Sequence, residues 1–207
     1  MKNKRLLWYL ICNITIFILE CIGISLAFAN RGTSALRFYT QLSNLFLMIT
    51  SALNVFAIIG VMTGKIKKIP HFINLLSYCS ICTTTVTLVV VLFVLSWMVG
   101  DLWWILTSGA MLYTHSLCPT IAILMFRFLA PEKLSKKAAF YAMIPTIAYA
   151  IVGISMNFAH IWVGPYPFLQ VYDQPVWASI VWIITILGGA YAIARLLLWR
   201  KRAKKAH

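Results

Sequence analysis

Residues 6–29, LLWYLICNITIFILECIGISLAFA, form an apolar run of 24 residues with one side chain that carries a charge in neutral water, Glu20. At about 1.5 Å per helical residue such a run exceeds the ~30 Å hydrocarbon core of a bilayer, so it reads as a membrane span. It is too long for the apolar region of a signal peptide and lacks a small-x-small cleavage site. It is therefore expected to stay in place as the first span.

Five further runs of the same kind follow, at 36–62, 72–99, 102–129, 138–160 and 176–199. Turn-forming residues separate them: Asn30-Arg31-Gly32, Gly64-Lys65, Gly100-Asp101, Pro131-Glu132 and Gly164-Pro165-Tyr166-Pro167. Composition agrees, with 62% hydrophobic and 11% charged residues, where a soluble domain carries about a quarter charged. The expected fold is an all-α polytopic membrane protein, a six-transmembrane-helix bundle forming one domain over residues 1–207.

The net charge of +14 does not point to nucleic acid, because the 18 basic residues sit in short clusters between apolar runs rather than along one polar face. Lys2, Lys4 and Arg5 precede the first run, Lys65, Lys67 and Lys68 follow the second, and Arg127, Lys133, Lys136 and Lys137 follow the fourth. Arg195, Arg200, Lys201, Arg202, Lys204 and Lys205 lie at the end of the chain, leaving only Arg31 and Arg37 for the opposite side. The positive-inside rule then puts both termini in the cytoplasm. Richness in Ile and Lys fits the cytoplasmic membrane of a bacterium.

Cys12, Cys21, Cys79, Cys82 and Cys118 all lie within apolar runs, where a thiol packs as a small hydrophobe. Cys79 and Cys82 form a CxxC without a second pair or a His at zinc spacing. No metal or other cofactor is expected.

Polar side chains inside a span are costly, about 2.5–3.5 kcal/mol for a central charge, so each needs a partner or a task. They are Glu20, Gln41, Asn44, His115 and Asn157, with Asn13, Asn54 and Asn74 as further amides. Thr40, Asn44, Ser51 and Asn54 recur along one face of the second span and must turn towards the bundle interior. For Ser51 and Asn54 the simplest role is helix-to-helix hydrogen bonding. Counted from the outer ends of the spans, Thr40 lies roughly 6 Å deep, Asn44 roughly 12 Å, Glu20 roughly 14 Å and His115 roughly 12–18 Å. All four belong to the outer half of the membrane.

A hydroxyl beside a neutral imidazole is the least equipment that nucleophilic acyl transfer requires, and the amides of Gln41 or Asn44 could hold the oxyanion. A His bonded to a backbone carbonyl or to Glu20, and a Thr bonded to its own preceding turn, describe the same residues without catalysis. Two other chemistries fit as well. Cys118, three residues after His115 and on the same helical face, could serve an acyltransferase. A cavity lined by Glu20, Asn44 and His115 could belong to a non-enzymatic lipid- or small-molecule-binding protein or a proton-coupled transporter, with Glu20 paired to His115 or Arg37.

Three segments carry a resemblance: Phe38-Tyr39-Thr40-Gln41-Leu42-Ser43-Asn44, Tyr113-Thr114-His115-Ser116-Leu117-Cys118-Pro119 and Gly164-Pro165-Tyr166-Pro167-Phe168-Leu169. In order and spacing they resemble the androgen-induced protein and androgen-dependent TFPI-regulating protein family, including its bacterial relatives. That resemblance implies six spans and an intramembrane threonine hydrolase that cleaves fatty acid esters of hydroxy fatty acids. Thr40 would be its nucleophile and His115 its base. Gln41, Ser43, Asn44, Glu20 and Tyr113 are then expected as supporting, oxyanion or cavity residues, with Pro165, Tyr166, Pro167 and Phe168 as a loop near the site. The expected partners are membrane lipids and a lipid ester substrate, without nucleic acid. Nothing in the pattern specifies an oligomeric state.

Overall fold

The structure, a computed structural model, describes residues 2–130 and 134–202. Its helices are α1 (Lys2–Arg31), α2 (Tyr39–Met62), α3 (His71–Val90), α4 (Leu102–Thr107), α5 (Cys118–Phe128), α6 (Ala138–Phe158) and α7 (Val176–Arg202). A 3-10 segment, Gly32–Arg37, joins α1 to α2. α3 runs on through a π turn at Val91–Leu95 into Ser96–Val99. No strand occurs among the described residues.

Five segments are long and apolar enough to cross a bilayer: Lys4–Arg37, Tyr39–Met62, His71–Val99, Ala138–Phe158 and Val176–Trp199. Their outward faces carry large apolar side chains, among them Phe56, Phe72, Ile151 and Ile184, all well exposed. In water this surface would be untenable, and in lipid it needs no cover. The chain is an integral membrane protein.

The run at 102–129 is not one helix. Asp101 caps α4, its carboxylate accepting the Trp104 N–H at 2.8 Å. After Thr107 the backbone leaves the helix through an extended Ser108 and a left-handed Gly109, φ +51°, a conformation that costs glycine least. Helix resumes at Ala110 and passes through a π segment, Leu112–Leu117, before α5. Six residues span only about 9 Å, so α4 by itself cannot traverse the hydrocarbon.

α3 is the centre of the bundle, packing against α2, α5, α6 and α7. Ile73, Asn74, Ser77 to Thr85, Val86 and Thr87 are all buried. Its small residues let neighbours approach closely, and its hydroxyls bond back to carbonyls three or four residues earlier, as Thr84 and Thr85 do to Ser80 and Ile81. Polar pairs then join α2 to α3 at three levels: Ser43 with Thr87 at 3.0 Å, Thr50 with Ser80 at 2.7 Å, and the Asn54 amide with the Ser77 hydroxyl. The last pair also receives the Tyr9 hydroxyl from α1 at 3.3 Å, so Asn54 joins three helices. Asn54 thus has the helix-joining role expected of it.

Candidate active site

Thr40 occupies the first turn of α2, where backbone N–H groups have no partner within the helix. Phe38 at the N-cap offers no side-chain acceptor. The acceptor comes instead from the loop between α6 and α7. Tyr166 brings its hydroxyl to 3.4 Å from Thr40 N and 3.3 Å from Thr40 Oγ1.

That loop is shaped to deliver the phenol. At Gly164 an added Cβ would lie 2.5 Å from Leu169 Cβ, so only glycine allows the chain to fold back against the 3-10 turn Pro167–Leu169. The Tyr166 ring stacks on Phe168 at 5.0 Å and meets Phe38 edge-on at 6.2 Å. Asn157 on α6 fastens the base of the loop, its Oδ1 accepting the Val171 N–H at 2.9 Å. Burial pushes the Tyr166 phenol above its ordinary pKa, and hydrogen bonding to Thr40 offsets part of that rise. It stays a neutral hydroxyl that can both donate and accept.

Around Thr40 the carbonyl side is also occupied. Ser43 Oγ donates to Thr40 O at 2.9 Å, and Asn44 Nδ2 donates to the same oxygen at 2.7 Å. Asn44 Nδ2 makes a second bond, at 3.1 Å, to Thr114 O in the π segment. Thr40, 6% exposed, borders an apolar cavity of about 50 Å³ bounded also by Val86, Val90, Tyr149, Tyr166, Phe168 and Trp182. This space admits a few waters and is well below the ~300–1,000 Å³ of a ligand pocket.

His115 lies in the π segment, 7% exposed. Its Nδ1 sits 3.1 Å from Ile105 O, and Ser116 Oγ donates to Leu106 O at 2.6 Å. Both acceptors belong to the last turn of α4, whose carbonyls have no helical partner. A carbonyl only accepts, so Nδ1 carries the hydrogen and Nε2 holds the lone pair. π segments of this kind recur at functional sites.

The structure therefore gathers Thr40, Ser43, Asn44, Tyr166 and Phe168 into one cluster. It does not join Thr40 to His115, since no hydrogen bond links them among the described residues. The π segment meets α2 at Asn44, one helical turn along from Thr40.

The remaining candidates are dispersed. Gln41 Oε1 is buried without a partner. Tyr113 packs on α1 beside Gly23, and Pro165 is half-buried. Glu20 is 0% exposed, and neither carboxyl oxygen has a hydrogen-bond partner. The Cys118 thiol faces it, so neither His115 nor Arg37 is its counterpart. Tyr39, from the first motif segment, also borders the cavity, as do Thr87, Thr146 and Tyr149, which no motif in the sequence singles out. Tyr39 OH and Thr146 Oγ1 lie 2.7 Å apart, a polar pair in its wall.

No family model matches this chain, and neither a curated protein nor a solved structure shows significant similarity to it.

Proposed function

We propose that this protein is an intramembrane lipid ester hydrolase of the androgen-induced protein type, with Thr40 as nucleophile and His115 as general base. The observation that carries the reading is the setting of Thr40. Thr40 borders an apolar cavity at the positive end of a long helix, and its hydroxyl lies 3.3 Å from a neutral phenol. Attack of Oγ1 on an ester carbonyl would form an acyl-threonine and release the alcohol, and water would then free the acid. Tyr166, already bonded to Oγ1, is placed to orient it, and the positive end of α2 favours the oxyanion. His115 Nε2 has the lone pair for a base, and the reading requires it to reach Thr40 Oγ1 by movement of the π segment. The loop must also shift, since the cavity is smaller than an acyl chain.

In this reading residues 102–128 complete a sixth crossing as an interrupted helix, with both termini in the cytoplasm, and the site opens to the outer leaflet. The cytoplasmic membrane of a bacterium is the proposed location, and fatty acid esters of hydroxy fatty acids or related acyl esters are the proposed substrates. Labelling by a fluorophosphonate probe tests it. Wild type should be labelled, while Thr40→Ala and His115→Ala should not, both remaining folded. Retained labelling of Thr40→Ala overturns the assignment.

Glu20 favours a second reading. A carboxyl group buried without a partner is the usual mark of an intramembrane proton site, as in a proton-coupled transporter. Proton-dependent uptake into proteoliposomes that Glu20→Gln abolishes, without turnover of any ester, would establish it in place of the hydrolase.

A further inference from the structure

A second cavity lies on the lipid-facing side of the cluster. α2 and α6 both pack on α3 and meet each other at Tyr39, against Thr146 and Tyr149; beyond that contact they part, which leaves a groove of about 680 Å³ between them, floored by Thr83. Pro145 lies on its α6 wall, where a missing N–H removes one hydrogen bond from the helix. Leu42 and Phe46 on one side and Ala148, Val152 and Met156 on the other make the walls apolar. Unlike the small space beside Thr40, this groove has the volume of a single-ligand pocket, roughly 300–1,000 Å³.

One end of the groove is positively charged and rich in donors. Arg37 lies there, its guanidinium 5.8 Å from the centre of the Trp162 ring, with no ion pair or side-chain hydrogen bond among the described residues. Its carbonyl accepts the Tyr149 hydroxyl at 2.8 Å, which fixes the backbone at the head of the groove. The Nε1 donor of Trp162 is buried without an acceptor. A buried donor left unpaired is costly, so its retention points to a partner.

We propose that this groove binds one long-chain fatty acid, its carboxylate held by Arg37 and Trp162 and its chain lying between α2 and α6. The chemistry selects that occupant. One cation and one orphan N–H match one carboxylate, and the apolar volume suits one acyl chain rather than a two-chain phospholipid. Tyr39 and Tyr149, in contact at 5.1 Å, border both the groove and the Thr40 cavity, so the two spaces are divided by a pair of rings. The site is thus adjacent to Thr40 and independent of any reaction there.

Photolabelling of the full chain in phosphatidylcholine nanodiscs tests the proposal, with a diazirine-bearing, alkyne-tagged palmitate as probe. Labelled peptides should fall within 36–46 and 145–156, and palmitate should suppress them at concentrations where methyl palmitate does not. Arg37→Leu should lower labelling at least fivefold and Trp162→Phe about twofold, while Arg37→Lys keeps most of it. Val152→Trp, which fills the groove and leaves Arg37 untouched, should block labelling and serves equally if Arg37→Leu does not fold. Thr40→Ala should label as wild type does, so loss of the hydrolase reading leaves this one standing. Equal competition by methyl palmitate, labelling spread over other lipid-facing helices, or preferential labelling of the groove by a photoreactive phosphatidylglycerol would each overturn it.

Discussion

The hydroxyl of Tyr166 lies 3.3 Å from Oγ1 and 3.4 Å from the backbone nitrogen of Thr40, a residue 126 positions earlier in the chain. One side chain thus both caps α2 and orients the hydroxyl proposed to react.

Tyr166→Phe separates the two effects. Loss of the cap should lower stability by about 1 kcal/mol, read as a small drop in the thermal midpoint in detergent. If the phenol also orients Thr40, kcat for ester hydrolysis should fall about tenfold with KM little changed, which corresponds to about 1.4 kcal/mol in the transition state. An unchanged kcat with a lowered midpoint would reduce Tyr166 to a cap.

His115 has a structural bond and a proposed chemical one, on different nitrogens. His115→Asn can still donate to Ile105 O and cannot act as a base. It should keep a near-normal thermal midpoint while losing ester turnover by about 10²–10⁴-fold. Turnover within a factor of two of wild type would show that the imidazole only caps α4.

Gly164→Ala should act at a distance. The new methyl cannot coexist with Leu169 Cβ, so the loop must shift and take Tyr166 with it. The variant should reproduce the kinetic defect of Tyr166→Phe, and the double variant should be no worse than either alone, as expected of coupled residues. Additive losses would indicate separate mechanisms.

At the other end of the bundle, Asn54→Leu removes the hydrogen bonds to Tyr9 and Ser77 and leaves both hydroxyls in apolar surroundings. A loss of about 1–3 kcal/mol is expected, larger than the roughly 0.6 kcal/mol of an average intramembrane polar contact. Ester turnover per folded molecule should not change. Unfolding by graded sodium dodecyl sulfate measures the first quantity and a titrated probe the second.

Glu20→Leu should stabilise. It replaces a buried carboxyl group, whose polar neighbour is only the weakly donating Cys118 thiol and which makes no geometric hydrogen bond among the described residues, by a side chain of similar size that needs none. A rise in thermal midpoint would mean that the carboxyl is kept for function at a cost to stability. A fall would mean that Glu20 has a partner in the membrane, an internal water or a bound solute.

Much of this architecture is legible in the amino-acid order because the bilayer asks a simple question of it. Five of the six apolar runs become helices near their expected ends, and Asn54 turns inward as its stripe with Thr40 and Asn44 requires. α3 is less legible. Five of its six Ser and Thr residues share one face, where their hydroxyls lower the hydropathy that would mark it as buried, yet back-bonding lets Ser80, Thr83, Thr84, Thr85 and Thr87 enter the core. The break at Ser108-Gly109 is hidden for a related reason, since one glycine between apolar segments barely alters a hydropathy average. The site divides in the same way. The sequence motifs name Thr40, His115 and the Pro-Tyr-Pro loop. The bond between Thr40 and Tyr166, and the attachment of His115 to α4, depend on tertiary approach that no local pattern encodes.

The interruption after α4 also bears on how the protein is made. Backbone groups around Ser108 and Gly109 cannot enter lipid unshielded, whereas the uninterrupted helices can partition as they emerge from the ribosome. Residues 102–128 need the earlier α1 and α2 as their shield, where Tyr113 seats beside Gly23 and Asn44 takes the Thr114 carbonyl. Tyr166 arrives later still, with the α6–α7 loop. Maturation then follows synthesis: a nascent chain arrested before the last loop holds a threonine without its tyrosine cap, and the Thr40–Tyr166 bond forms only with the final part of the chain.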